Sequence, residues 1–176
     1  MCSSDLCVSL VCAHYTKMAV HSTFRHTPLE SADMNAIDII KRDHEAAKDL
    51  FARYRAAGEE ERTDMEEEIF DALTAHEIME DKHFYPMLRK ANIDEAGLFS
   101  DIEGEQVKLA AEVTAARTIP GDKQERILSI MDTVLAHAAK EEAEILPKAE
   151  AVLTETELDG LGLEMEPDSA VAKSKG

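Results

Sequence analysis

Two stretches of this chain share one pattern. His76 to Pro86 reads HEIMEDKHFYP, and His137 to Pro147 reads HAAKEEAEILP. Each runs His, three residues, Glu, an acid, two residues, two large apolar residues, then Pro. On an α-helix, residues four apart lie one above the other on the same face. His76 with Glu80, and His137 with Glu141, therefore form two nitrogen-plus-carboxylate pairs, each aimed in one direction. Two such pairs on facing helices enclose a cavity fit for a metal. The fold has to bring those helices together.

Composition supports a helical answer. The chain has 176 residues, which suits one domain with tails, and 44% of them are apolar. Only 7 Gly, 5 Pro and 5% aromatics accompany abundant Ala, Glu, Leu, Lys and Met, which marks an all-α protein. The net charge of −18 disfavours nucleic acid and anionic lipid as partners. No apolar run is long enough to span a membrane. Cys2, Cys7 and Cys12 all precede residue 13, so the rest of the chain has neither a disulfide framework nor a thiolate metal site. A cytoplasmic monomer is expected.

Residues 1–33 differ from the remainder of the chain: they are rich in Ser, Thr, Cys and His and carry only three acids. No basic segment precedes the short apolar run 6–13, which argues against a signal peptide. Either Met34 is the true start, or 1–33 is a disordered leader in which His14, His21 and His26 are solvated. The bundle is expected over 34–154. Helix one is expected over 35–57, capped by Asn35 or Asp33 and ended by Gly58, with His44 in its apolar stripe. Helix two is expected over 62–85, with Pro86 bending its last turn. Helix three is expected over 98–117 and helix four over 123–146, with Pro147 repeating the bend. Short connections between helices of this length give an antiparallel up-down-up-down four-helix bundle. A short fifth helix over 153–165, capped by Thr154 or Thr156, and a disordered tail from Pro167 complete residues 155–176.

The second half repeats the first at a period of 60 to 61 residues. Helix two maps onto helix four. Helix one maps onto helix three, where Asp43-His44-Glu45 aligns with Glu103-Gly104-Glu105. The partner expected for His44 is thus a histidine at 104, and the residue there is Gly104. A different placement puts Gln106 in the gap, and an amide oxygen is a weak ligand. His83 is another candidate, three residues beyond Glu80 on the same face. Its alternative is a partly exposed residue in the last turn. Glu77 reads as exposed, Tyr54 and Tyr85 as packing residues, and Met65, Met79, Met87 and Met131 as core or surface filler.

Three imidazoles and two carboxylates, without sulfur, suit iron or manganese better than calcium or magnesium, and do not make a typical structural zinc site. Carboxylates from opposite helices can bridge two metals, as bundle cores do. The protease motif HExxH fails for want of its second His, and there is no EF-hand loop.

Asp43-His44, His76-xxx-Glu80-Asp81 with Phe84-Tyr85-Pro86, and His137-xxx-Glu141-Glu142 with Pro147 together resemble the hemerythrin-like HHE cation-binding domains, over roughly residues 35–150. The resemblance implies a four-helix bundle around a non-haem di-iron centre that binds O2 or responds to oxygen, NO or redox state. Carried over, His44 and His76 bind one iron, His137 binds the other, and Glu80 and Glu141 bridge. The departure is Gly104, which stands where the resemblance implies a histidine ligand of the second iron. Three functions are expected in consequence. The first is a module that binds, buffers or senses O2 or NO. The second is a di-iron enzyme acting on peroxide or NO. The third is a degenerate bundle with a mononuclear or empty site.

Overall fold

The computed structural model describes residues 34–93, 97–121 and 123–173. The expected leader, and part of the turn expected at 92–97, lie outside them. The described residues are helical, with no strand among them. Four long helices carry the interior. Helix α1 is Ala36–Ala56. Helix α2 is Glu59–Met79, continued by a π-helical turn, Glu80–Phe84, and by Tyr85–Lys90. Helix α3 is Leu98–Thr118. Helix α4 is Gln124–Lys140, continued by a second π turn, Glu141–Ile145, and by Leu146–Val152. Helix α5 is Glu155–Met165.

Local chemistry sets these boundaries. Asn35 Oδ1 accepts from the amides of Ile37 and Asp38, and Asp38 reaches back to the Asn35 amide, so a capping box starts α1. Gly58 does not end α1 in a left-handed turn; α1 ends at Ala57, which is extended, and Gly58 caps α2. Gly97, at φ +78°, supplies the left-handed turn into α3 that a side chain would resist. Thr154 and Glu157 form the capping box of α5.

The two prolines do not break their helices. A proline cannot donate to the carbonyl four residues back, and its ring crowds that carbonyl. In both copies the ladder widens first. The Tyr85 amide donates to the Glu80 carbonyl and the Leu146 amide to the Glu141 carbonyl, each five residues back, and an α-helix resumes with Pro in its first turn.

The interior has two apolar clusters. One holds Leu50, Phe51, Tyr54, Ile69, Phe70, Leu73, Leu109, Val113, Ile127, Ile130 and Met131. The other holds Ile37, Ile40, Met79, Phe84, Tyr85, Leu88, Phe99, Ile102, Ile145, Leu146, Leu158, Leu161 and Met165. On each long helix the residues between the clusters are polar and buried or nearly so: Asp43 and His44, His76, Gln106, and His137. One polar layer thus crosses the bundle between two dry ends.

Residues 167–173 correct the expectation of disorder from Pro167; 174–176 lie outside the described residues. A 3-10 turn, Glu166–Asp168, leads to a terminal helix, Ala170–Lys173, packed mainly on α2. Ser169 and Ala170 are buried, and Arg42 holds both Glu166, at 2.7 Å, and the Ser169 hydroxyl, at 2.7 Å. The tail is polar in composition, and it is ordered by partners on α1 that its own pattern does not display.

Candidate metal centre

In the polar layer, His44, His76, Glu80 and Glu141 each present one donor atom, all within 4.8 Å of one another. The π turns begin at the two carboxylates, so each Glu sits where its helix is widest. His76 Nε2 stands 3.2 Å from Glu80, and His44 Nε2 stands 3.5 Å from Glu141. His137 is also buried but lies outside that group of four. Its nearest acidic partner is Glu105, 3.8 Å from Nδ1.

Each histidine has an outer carboxylate, supplied by a neighbouring helix. Glu142 of α4 lies 2.8 Å from His44 Nδ1. Asp43 of α1 lies 3.8 Å from His76 Nδ1. Glu105 of α3 faces His137. A carboxylate at Nδ1 favours a proton there and leaves Nε2 free to face the layer, as metal-bound histidines require. Sequence reasoning misses these three acids as partners. The available signal is an acid directly beside an inward residue: Asp43 beside His44, Glu105 beside Gln106, and Glu142 beside Glu141.

The third helix contributes Gln106, with 1% of its surface exposed. Its amide nitrogen donates to Glu80 Oε2 at 3.1 Å. Gly104 is partly exposed, and a Cβ there would meet nothing within 4 Å, so it faces away from the layer. The stripe Ile102, Gln106, Leu109, Val113 has the helical spacing that places 106 inward. His83 is not brought to the cluster. The wider π turn carries it round the helix, and its Nε2 lies 3.1 Å from Asp168. Tyr85 does more than pack. Its hydroxyl is placed to donate to Glu80 Oε2 at 3.4 Å and Glu141 Oε1 at 3.3 Å. Glu77, expected exposed, has only 7% of its surface open, and burial pushes its carboxyl up to about 7.

The electrostatics of the layer are unbalanced. Burial drives Glu141 up, and the Glu80 charge drives it further, while His44 and His137 only partly offset this. Burial also raises Glu80, but the His76 charge and contact, with His44, hold it below the usual carboxylate range. Burial lowers His137 below an ordinary imidazole. Burial likewise lowers His76, but Glu80 and Asp43 outweigh it and hold this imidazole well above the usual value. Burial and both carboxylates push the Tyr85 hydroxyl far up, so it stays a neutral donor.

Unpartnered atoms decide what this layer fits. His44 Nε2, His76 Nδ1, both nitrogens of His137, Glu80 Oε1, Glu141 Oε2 and Gln106 Oε1 are buried with no hydrogen-bond partner. A buried polar atom without a partner costs roughly 1–3 kcal/mol. So many in one layer, on nitrogen and oxygen donors, suit a cation. The chain matches the Hemerythrin HHE cation binding domain family over residues 35–149. It belongs to that family. A hemerythrin HHE domain is a cation-binding unit, and here its His and Glu group is one that can hold a metal. Comparison with curated proteins and with solved structures gave no match. Among the described residues no helix is long and apolar enough to cross a membrane.

Proposed function

We propose that this hemerythrin-like protein holds non-haem iron in the polar layer of an up-down-up-down bundle and uses it to bind, buffer or sense O2, NO or redox state. One observation carries the reading: buried donor atoms of His44, Glu80, Glu141 and His137 are left without partners in a single layer. Bound non-haem iron supplies reversible redox chemistry and an open coordination position.

The chain's own residues do the rest. His44 and His76 offer nitrogens beside the carboxylate pair, and buried His137 offers a further nitrogen in the same layer. Glu80 and Glu141 would supply the carboxylates that hold the metal. Glu142 hydrogen-bonds the His44 ring at 2.8 Å, while Asp43 and Glu105 place a negative charge 3.8 Å from Nδ1 of His76 and of His137. Tyr85 holds a proton facing both carboxylates, from the dry side of the layer. The two apolar clusters keep bulk water from either end.

A second reading, one tight metal with a weak second position, is favoured by a specific asymmetry. Four donors converge on the His44 and His76 side. His137 and the weak amide oxygen of Gln106 lie outside that group. Iron per chain in aerobically purified protein, with its near-ultraviolet and visible spectrum, tests both. About two irons with a charge-transfer band supports the di-iron centre. About one supports the second reading. A metal-free folded protein that takes up no Fe(II) refutes both.

A further inference from the structure

We propose that the C-terminal segment, beyond the part of the chain that matches the family, positions the His76 ring through Asp43. This rests on the proposed metal centre. The matched region ends at residue 149, yet the chain goes on through α5, the 3-10 turn and the terminal helix and returns to the polar layer. The contact is specific. The Ala170 amide donates to Asp43 Oδ2 at 2.6 Å, and the Val171 amide lies 3.4 Å from Oδ1. The same Oδ2 faces His76 Nδ1 at 3.8 Å, longer than a hydrogen bond but the one carboxylate within 4 Å of that otherwise unpartnered nitrogen among the described residues. Asp43 is 2% exposed, so the terminal helix and the ring share one buried carboxylate.

The rest of the segment fastens that contact. Arg42 binds Glu166 at 2.7 and 3.0 Å and the Ser169 hydroxyl at 2.7 Å, and also lies 3.4 Å from Asp43 Oδ1. Asp168 receives Lys82 at 2.6 Å and His83 at 3.1 Å. His83, a candidate metal ligand by its spacing, therefore acts as a clasp for the segment. Glu164 lies 3.7 Å from the same ring.

A carboxylate behind a metal-binding imidazole orients the ring and raises its basicity, and losing such a partner lowers metal affinity about 10–100-fold. Coupling of this kind is reciprocal: if docking the segment favours metal at His76, metal at His76 favours docking. Asp43 is thus a positioning residue, and the C-terminal segment is what holds it.

Ala170→Pro tests this. It deletes the donating amide, yet Ala170 opens its helix after extended Ser169, a place that proline's backbone fits. Ala170→Gly keeps the amide and is the rescue control. Asp43→Asn keeps the shape and removes the charge, should proline disturb folding. Two readouts apply to each full-length protein. The first is Co(II) affinity by chelator competition, with the visible Co(II) spectrum. The second, made without metal, is the NMR signals of the imidazole rings. Expected are a roughly 10–100-fold affinity loss and an altered Co(II) spectrum in Ala170→Pro and Asp43→Asn, with Ala170→Gly near wild type. The His76 ring signals should shift in Ala170→Pro while those of His137 stay put. Wild-type affinity together with unmoved His76 signals in a folded Ala170→Pro protein overturns the proposal. If the wild type takes up no Co(II), the metal reading fails, and the ring signals alone decide the coupling.

Discussion

Glu80 and Glu141 occupy equivalent places in two π-helical turns, each the first residue of its turn and each followed by a proline six residues on. A π turn closes its hydrogen bond over five residues, so it places one more residue per turn than an α-helix. It therefore re-aims side chains on one side of the turn relative to the other. The apolar pairs Phe84-Tyr85 and Ile145-Leu146 stay in the core while the two carboxylates still point into the polar layer.

Deleting Ala143 tests that arrangement. Ala143 is exposed within the second π turn, so its removal takes no packing from the core. The turn is expected to close as an ordinary α-helix, leaving helix content unchanged by circular dichroism. Glu141 should rotate off the layer. Metal uptake, measured as metal per chain, should fall to half of wild type or less. Full uptake would mean that the π turn has no bearing on the site.

Gln106→His addresses the weak side of the layer. Gln106 is buried, bonded to Glu80 through its amide nitrogen, with its oxygen unpartnered. An imidazole there supplies the nitrogen donor that α3 lacks, and imidazole suits iron better than a neutral amide. The expected result is at least a tenfold gain in affinity for a second metal, seen as a second step in a Co(II) titration. Gln106→Leu should keep the first step and abolish the second. An unchanged titration in both variants would place the second position elsewhere.

The all-helical fold and the grouping of His44, His76, Glu80 and Glu141 are legible in the sequence because both depend on period. The repeated His and Glu at helical spacing, the stripe around His44 and the caps at Asn35 and Thr154 are local signals, and local signals survive without an alignment. The misses are relations between helices or changes of period. Matching the repeat by residue type puts Gly104 where the stripe from Ile102 to Val113 puts Gln106. A constant helical turn places His83 on the Glu80 face, and the π turn moves it off. Glu77 reads as a solvated acid until the helix that packs against it is known. Asp43, Glu105 and Glu142 each serve a histidine on another helix, which no single-helix pattern reveals. Ser169 and Ala170 are held by Arg42 and Asp43, more than 120 residues away in sequence.

Gly162→Ala probes how closely α5 crosses the start of α1. A Cβ at Gly162 would collide with the Met34 carbonyl oxygen and lie 2.9 Å from the Asn35 carbonyl carbon, both of them backbone. Backbone cannot swing aside as a flexible side chain can. Overpacking of this kind costs about 1–3 kcal/mol. Thermal unfolding should show a lowered melting temperature. Gly160→Ala, with nothing within 4 Å of its Cβ, should be neutral or slightly stabilising, since alanine is the better helix former. Equal effects at the two positions would contradict the close crossing.

Glu77→Gln carries a pH signature. Burial raises the Glu77 carboxyl from 4.5 to about 7 in the folded protein, with the Glu80 and Asp81 charges adding to the rise and His76 opposing it. The folded state then binds more protons than the unfolded state between those two values. Stability therefore falls as pH rises from 4.5 to 7, and the penalty is complete above 7. Its size is on the order of 3 kcal/mol. The amide cannot ionise, so Glu77→Gln should remove the penalty. In metal-free protein, urea unfolding at about pH 8 should show the variant more stable than wild type, with the difference vanishing near pH 4.5. A variant less stable than wild type under the alkaline condition would show that the Glu77 charge is compensated in the folded chain.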